Sequence, residues 1–317
     1  MKLYILYGIV ACALFFTGCS KDEDNDVHGT ENITDWFEVK DKPGELNQAL
    51  YRIYKDYGLT IFVNDTLGQE ERGVDAYGEP IIDTELFDPG YYVFGTYTDF
   101  DSIRLSVNEE DMLKALEVIE ERVIPYLPKS GQYRPHSLLL VQAVYMHANV
   151  PKGWFGERPL PFTHSVYFRS LKGVMCGDLS SLQNMDDEEL SMWAGRIITS
   201  KTLEMYTEKY QTEVDEFYAI TDEDKKSGTY YDQNCASSST EAQNPCENLG
   251  FLKWRCEDNE YKVTLSKTED LHEFISAVYA YQGKESIFTA KYGEYSKILR
   301  KFEIMKKLVE KFEESLN

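Results

Sequence analysis

The first residues that point to chemistry are a histidine and the glutamate after it, in the run His272-Glu273-Phe274-Ile275-Ser276. The helix of many zinc peptidases reads His-Glu-x-x-His, which places two imidazole ligands one turn apart with a general base beside them. In this chain Ser276 stands at the position of the second ligand. His272 and Glu273 are therefore the candidate catalytic residues. The alternative for a single histidine near a helix start is a solvated or locally bonded side chain.

Other catalytic signatures do not occur in the sequence. It has no phosphate-binding loop, no Gly-x-Gly-x-x-Gly motif and no Gly-x-Ser-x-Gly elbow. The four histidines other than His272 lack the spacing of metal ligands; they are His28, His136, His147 and His164. Acidic runs at 109–111 and 187–189 fall at predicted helix starts, where acids stabilise the helix dipole. A glycosidase carboxylate pair therefore cannot be selected from the sequence.

The charge of the chain excludes one class of partner. Its 55 acidic and 33 basic residues give a formal net charge of -22. A field of this sign repels phosphate backbones, so the composition argues against binding of nucleic acid. The length of 317 residues allows one large or two medium domains with a substantial core.

The N-terminus predicts a lipid anchor. Lys2 precedes an apolar run over 3–16 that is too short for a permanent span and is typical of a signal peptide. The residues before Cys19 resemble the lipobox of bacterial lipoproteins, in which the thiol of this cysteine is diacylated and the peptide is cut before it. We therefore expect a signal peptide over 1–18, lipidation of Cys19 and an acidic tether over 19–32. Acyl chains contribute roughly 0.8 kcal/mol per buried methylene, so two or three of them anchor a protein stably.

The residues after Cys19 also predict where the anchored protein faces. Lys21 followed by acids resembles the surface-export signal of lipoproteins from glycan-foraging Gram-negative anaerobes. This resemblance implies an outer-membrane location, exposed at the cell surface.

Apolar spacing and capping residues predict an α+β fold that positions these groups. Continuous apolar runs predict strands over 59–63, 137–148 and 165–168. The predicted helices are 43–57, one capped by Asn108 that ends at Pro125, 186–210, one capped by Thr268, and 296–316. The stretch 64–108 is rich in turn residues and is predicted to be irregular.

Aromatic residues in two irregular stretches are candidate ligand contacts. Tyr91 and Tyr92 lie in the turn-rich stretch, and Trp154 lies in a loop over 153–159. Such side chains stack on sugars or peptides, and the alternative is that they pack beneath their loops.

Four cysteines follow the anchor: Cys176, Cys235, Cys246 and Cys256. An exported protein retains disulfides, and four thiols allow three pairings. Cys235 and Cys246 bracket a polar loop, so we expect this pair, or Cys246 with Cys256, within an insertion near 222–260. Their spacing does not match zinc knuckles.

Several segments together resemble one family. The signal, the helix Leu50–Gly58 that runs into a strand, the strand Leu138–Tyr145 and the helix start Glu269–Phe274 look like the substrate import-associated zinc metallohydrolase lipoproteins. The sharpest likeness is Gly250-Phe251-Leu252 followed by Glu269-Asp270 and Glu273. The resemblance implies a single zincin-like domain over 33–317, with a small mixed sheet and several helices. It also implies partners, namely an outer-membrane importer and its surface-binding lipoprotein.

The chain departs from this family in the helix over 186–210. Active relatives carry His-Glu-x-x-His at this place in the order, whereas this chain has no histidine between His164 and His272. Glu269 or Glu273 matches the downstream acidic ligand, but a single carboxylate holds zinc weakly. The expectation is therefore no cofactor, with zinc as the alternative.

These inferences lead to one expected function and two alternatives. The expected protein is a surface lipoprotein with a degenerate metallopeptidase fold that binds a peptide or glycan beside an importer, with Trp154, Tyr91 and Tyr92 as contacts. The first alternative is an active zinc hydrolase that uses His272 and Glu273. The second is a purely structural lipoprotein.

Overall fold

The computed structural model describes residues 34–89, 91–92, 95–96, 100–153, 156–167 and 172–316. Predictions for 1–32, including Cys19, for Trp154, and for the side chains of Tyr91 and Tyr92 lie outside the described residues. From Phe37 onward the chain forms one unit. None of the helices in the described ranges combines the length and the apolar composition of a membrane span.

The described chain contains both helices and strands, which confirms the predicted α+β class. Its α-helices are α1 (Glu45–Tyr57), α2 (Glu109–Val118), α3 (Asp187–Thr199), α4 (Leu203–Lys209), α5 (Gln211–Asp222), α6 (Thr240–Gln243), α7 (Lys267–Ala280), α8 (Glu285–Tyr292) and α9 (Ser296–Ser315). Its strands are β1 (Thr60–Phe62), β2 (Thr66–Val74), β3 (Pro80–Leu86), β4 (Tyr91–Tyr92), β5 (Gly95–Thr96), β6 (Ser102–Leu105), β7 (Ser137–Pro151), β8 (Glu157–His164), β9 (Val166–Tyr167), β10 (Val174–Cys176), β11 (Asn234–Ala236), β12 (Cys256–Glu257) and β13 (Tyr261–Val263).

Strand β7 is the centre of a mixed six-stranded sheet. Its first part pairs in parallel with β1 and β10, and residues 137–141 are buried without interruption. Its second part pairs antiparallel with β6 and β8, and burial there becomes less continuous. Parallel strands are covered on both faces whereas antiparallel strands often expose one, which explains the change.

The two faces of β7 supply two separate cores. Leu138 and Leu140 belong to the largest apolar cluster, which also contains Trp193 of α3. Leu139 faces the opposite side and packs in a smaller cluster with Phe87. The sheet is therefore covered by the helices on one face and by the segment after β3 on the other.

The predicted helix over 186–210 is wrong in its length, because α3 ends at Thr199 and α4 starts at Leu203. Hydroxyl groups at the break bond the backbone: Ser200 Oγ donates to Ile197 O at 2.7 Å, and Thr202 Oγ1 donates to Thr199 O at 3.1 Å. Such bonds compete with helical hydrogen bonding and allow the chain to turn.

The predicted cap of α7 is also wrong by two residues. Ser266, not Thr268, is the N-cap, since its Oγ accepts from Glu269 N at 3.2 Å. Glu269 Oε2 in turn accepts from Ser266 N at 2.7 Å, which completes a capping box.

The stretch predicted to be irregular contains a regular hairpin formed by β2 and β3. Its strands are largely exposed and charged, and two register shifts interrupt their alternation. Because a bulge moves every later side chain to the other face, no period of two remains to be read. Similarly, the loop predicted over 153–159 is shorter, since β8 begins at Glu157.

The cysteine-containing segment forms a three-stranded antiparallel sheet in the order β11-β13-β12. Beside it, Tyr231, Leu249, Phe251 and Leu265 form a small core of their own. The predicted insertion near 222–260 thus has internal structure, and its boundaries stay a prediction.

Candidate functional site

Helices α3 and α7 touch at a glycine. A Cβ atom on Gly195 would lie 2.4 Å from the backbone oxygen of Ser276, closer than real atoms approach. Thr199 and Ser276 reinforce the contact, since their hydroxyl oxygens lie 3.2 Å apart. The absence of a side chain at position 195 therefore lets α3 and α7 pack backbone to backbone, and it brings the next residue of α3 against α7.

That next residue, Arg196, forms a bidentate ion pair with Glu273 of α7. Arg196 Nε donates to Oε1 at 2.9 Å, and Nη2 donates to Oε2 at 2.8 Å. Lys253 Nζ lies 2.8 Å from the same Oε1. Glu273 is buried, which opposes its charge, but Arg196 and Lys253 hold the pKa of its carboxyl well below the usual range. Glu273 is therefore an anion between two cations.

His272 lies beside this pair and is buried at the helix interface. Its Nε2–H donates to the carbonyl oxygen of Arg196 at 2.9 Å. Burial lowers the pKa of the imidazole to about 4, so the ring is neutral at physiological pH. Ser276 Oγ donates to the carbonyl oxygen of His272 at 2.6 Å, which uses the hydroxyl within the helix. His272 is thus locally bonded.

Glu269 is engaged by a different cation. Arg255 Nε donates to its Oε2 at 2.7 Å, and Arg255 Nη2 also binds Asp232 Oδ1 at 2.6 Å. Burial favours the neutral acid, but Arg255 outweighs it and lowers the pKa of Glu269. His164 Nε2 lies 3.9 Å from Glu269 Oε1, too far for a hydrogen bond.

These side chains line a groove made of three adjoining cavities. One end lies beside the paired strands β7 and β8 and is called the hairpin end; it has a volume of about 210 Å³ and apolar walls, namely Met146, Phe162, Val166 and Tyr167. The helix end has a volume of about 330 Å³, with Met185, Met192, Leu252 and Phe288 among its walls. A narrow middle of about 20 Å³ shares His164 and Glu269 with the hairpin end, and Lys253 and Glu273 with the helix end. Glu273 and Lys253 therefore line both the narrow middle and the helix end.

A larger hollow of about 930 Å³ lies elsewhere, between α1 and α2. Its walls are mostly exposed charged side chains, such as Lys55 and Glu117, and it contains none of the predicted site residues. The groove is the better candidate because buried titratable groups, Glu273 and His272, line it, and such groups concentrate at functional sites.

The donor set at α3 and α7 does not fit a zinc ion. Within the described ranges, no three His, Cys, Asp or Glu side chains come close enough together to hold a metal. Glu273 and Glu269, the predicted acidic ligands, are each bound by an arginine. A metal at Glu273 would have to displace two cations from one carboxylate, so we derive no metal-dependent step.

In the described residues the four cysteines are buried free thiols. Cys246 packs in the small core with Tyr231, whereas Cys256 packs in another cluster with Val150. Burial raises the pKa of Cys256 to about 11, so it is protonated at neutral pH. Formation of a disulfide in the oxidised protein, either Cys235–Cys246 or Cys246–Cys256, stays a prediction.

Sequence reasoning missed four residues of this site, namely His164, Arg196, Lys253 and Arg255. Arg196 and Glu273 are 77 positions apart, so no local pattern reports their pairing. One local signal did exist. A glycine inside a helix costs about 1 kcal/mol relative to alanine, so Gly195 within α3 indicates a close approach by another element.

Comparison of the chain with protein-family profiles, with curated proteins and with solved structures gives no match. The resemblance to the import-associated metallohydrolase lipoproteins therefore stays a hypothesis that depends on the sequence segments quoted above.

Proposed function

We propose that this chain is a lipid-anchored surface protein with a zincin-like fold, in which a salt bridge replaces the metal centre and the groove binds a peptide or glycan. The observation that carries the proposal is that two cations already bind the Glu273 carboxylate. Arg196 and Lys253 together supply the positive charge that a metal ion would supply in a peptidase. We further propose that Cys19 is lipidated and that the protein acts beside an outer-membrane nutrient importer.

The composition of the groove supports binding. Both ends have apolar walls and polar groups at their margins, which is the usual composition of ligand sites.

A gain of metal binding tests the replacement directly. Met192 and Arg196 stand one turn apart on α3, and both line the helix end with Glu273. In Met192→His/Arg196→His, two imidazoles and one carboxylate would form the three-ligand set of a catalytic zinc site. We expect metal analysis to find no stoichiometric zinc in the native protein and about one zinc per chain in the double variant. Stoichiometric zinc in the native protein would contradict the proposal.

The binding role is tested on the native full chain. We expect peptides or oligosaccharides to bind without turnover in a calorimetric titration and a peptidase assay. Mass spectrometry of protein from membranes should find an acylated N-terminus at Cys19. Absence of binding to every peptide and oligosaccharide would refute the binding role and leave a structural lipoprotein.

A further inference from the structure

Strand β3 of the β2–β3 hairpin has an open edge. The hairpin is a sheet of two strands, so within the described ranges no strand pairs with the outer edge of β3. Directly after β3, Phe87 N donates to Asp65 O at 2.7 Å, on the side of β2. Because the backbone groups of an antiparallel strand alternate in direction, Ile82 and Thr84 direct theirs to the outer edge. Each of these two residues therefore offers an N–H and a C=O group to a further strand.

The two strands of the hairpin differ in their protection against further pairing. Both register shifts add a residue to β2, namely Leu67 and Arg72, whereas β3 continues over Pro80–Leu86 without a bulge. Bulges, prolines and lysines are usual means by which an edge strand avoids a partner. In β3 the proline stands at the first position, and Lys172 binds the backbone oxygen of Leu86 at the last. The middle of β3 is therefore the unprotected part of the edge.

The two faces of β3 differ in their side chains. Ile82 and Leu86 lie on one face and are about half exposed, whereas Asp83 and Glu85 lie on the other. A strand added to this edge would place alternate side chains beside the apolar face and beside the acidic face. Since neighbouring side chains on one face of a sheet contact each other, such a strand would fit if apolar residues alternated with basic ones.

The hairpin has an excess of negative charge. Residues 66–86 include six acids and one base, Arg72. Arg72 binds two of the acids, Glu70 and Asp83, and Lys172 binds a third, Glu85. The remaining acids form no ion pair with a described residue; they are Glu71, Asp75 and Glu79. The excess persists when Lys172 is counted with the hairpin, and it attracts a basic partner.

The same acids argue against two other occupants of the edge. If two copies of β3 paired antiparallel about Thr84, Asp83 of each copy would lie opposite Glu85 of the other. Like charges in directly opposite positions are destabilising. An anionic membrane surface would also be repelled. A basic segment of a different protein meets neither obstacle.

We infer that the outer edge of β3 binds an extended segment of another protein, in which lysine or arginine alternates with apolar residues. Main-chain hydrogen bonds to Ile82 and Thr84 would give affinity, and the alternate side chains of the segment would give specificity. The inference goes beyond the proposed function. No residue of β2 or β3 lines the groove, so the two proposals can fail separately.

The probe is the fluorescein-labelled peptide Lys-Val-Lys-Val-Lys-Val. Lys-Lys-Lys-Val-Val-Val has the same charge without the alternation, and Glu-Val-Glu-Val-Glu-Val has the alternation with the opposite charge. We expect the native full chain to bind the probe about tenfold more tightly than either control peptide in a fluorescence anisotropy titration, because only the probe matches both faces of β3. Equal binding of the probe and Lys-Lys-Lys-Val-Val-Val would mean general attraction to an acidic surface and would overturn the inference. Equal binding of the probe and Glu-Val-Glu-Val-Glu-Val would overturn the basic specificity.

Thr84→Pro tests the edge itself. It removes the N–H group that faces outwards, and a strand tolerates proline where its N–H faces solvent. We expect the variant to bind the probe about tenfold more weakly, from the loss of one main-chain hydrogen bond and the altered edge. Thr84→Val is the matched control, because it changes the same side chain and keeps the N–H group, and it should bind like the native protein. Native affinity in Thr84→Pro would overturn the inference.

Hydrogen exchange separates a lost edge from a lost hairpin. In the native protein the probe should slow amide exchange over 80–86, and unchanged exchange there would overturn strand addition even if the probe binds elsewhere. Native dimers in analytical ultracentrifugation that disappear in Thr84→Pro would identify a second copy as the occupant and overturn the basic segment. Phosphatidylglycerol vesicles that bind the native protein but not Thr84→Pro would do the same in favour of a membrane.

Discussion

Two acids one turn apart on α7 are each paired with a cation, and their environments differ. Glu273 lies at the groove, where Arg196 and half-exposed Lys253 bind it. Asp270 lies behind it and is paired with Lys301 of α9, and neither side chain has any exposed surface. Glu273 is thus paired where a ligand can reach it, whereas Asp270 is paired where only the protein can.

The Asp270 pair joins several parts of the fold. Lys301 Nζ donates to Asp270 Oδ2 at 2.6 Å, to Gly250 O at 2.7 Å and to Thr221 Oγ1 at 2.9 Å. Tyr231 OH also donates to Asp270 Oδ2 at 2.8 Å. One lysine therefore connects α5, α7 and α9 to the cysteine-containing segment.

The two pairs also differ in how well burial is compensated. Burial raises the pKa of Asp270 and lowers that of Lys301, because each charge is costly away from water. Asp270 Oδ1 has no hydrogen-bond partner within the described chain. The pKa of Glu273, by contrast, is lowered, because two cations outweigh its burial. The groove pair therefore stabilises the ionised form of Glu273, whereas the inner pair connects elements of the fold.

The largest effect should come from breaking the inner pair. In Lys301→Met, Asp270 would remain as a buried acid without its cation, and removal of one partner of a buried pair costs about 3–5 kcal/mol. We expect a loss of this size in the free energy of unfolding, measured by urea denaturation. The adjacent Arg300→Met is the control, because Arg300 is 52 % exposed in its pair with Glu223 and should change stability by less than about 1 kcal/mol. Equal losses in the two variants would remove the distinction between inner and outer pairs.

The neutral His272 between the pairs should give stability a pH dependence. Its pKa is about 4 in the folded chain, from burial, against about 6.5 when unfolded. Between these values the unfolded state binds more protons, so stability rises with pH. His272→Gln keeps a donor for Arg196 O but does not titrate. We expect native stability to gain up to about 3 kcal/mol relative to this variant from pH 4 to pH 6.5. If the free energy of unfolding of the native protein and of His272→Gln changed equally with pH, His272 would not be buried as a neutral ring.

Much of the framework could be predicted from the sequence, because it depends on neighbours along the chain. Three kinds of local signal predict observed elements: the apolar run of β7, the cap at Asn108 and the acidic run at 187–189, and the amphipathic pattern of α9. The site could not be predicted in the same way. Lysine and aspartate are almost always exposed, so their types gave no reason to place Asp270 and Lys301 in the core.

The groove could not be predicted from the sequence either, because no local pattern connects its residues. Its charges come from α3, from α7 and from the segment around Lys253, which are distant in sequence and meet only after folding. The sequence instead drew attention to His272 as a ligand, because a pattern of residue types does not reveal that its ring is bonded to a carbonyl oxygen.

A smaller loss should follow from breaking the groove pair. In Arg196→Met, Glu273 loses two charge-assisted hydrogen bonds but keeps Lys253 as a counter-ion. We expect a loss of about 2 kcal/mol in the free energy of unfolding, below that of Lys301→Met. The double variant Arg196→Met/Glu273→Met should recover part of it, since both charges are then removed. This account would be contradicted if the loss in the free energy of unfolding of the double variant exceeded the sum of the losses of the two single variants.

The smallest change should come from Lys253→Met, and it completes the comparison. Lys253 is 45 % exposed, so solvent screens its attraction to Glu273, and such pairs contribute about 0–1 kcal/mol. Arg196 remains to neutralise the carboxylate, and we therefore expect urea denaturation to give nearly the native free energy of unfolding. A loss as large as that of Arg196→Met would mean that Lys253 belongs to the framework. A nearly unchanged stability would separate half-exposed Lys253 from buried Lys301, whose removal leaves a buried acid without its cation.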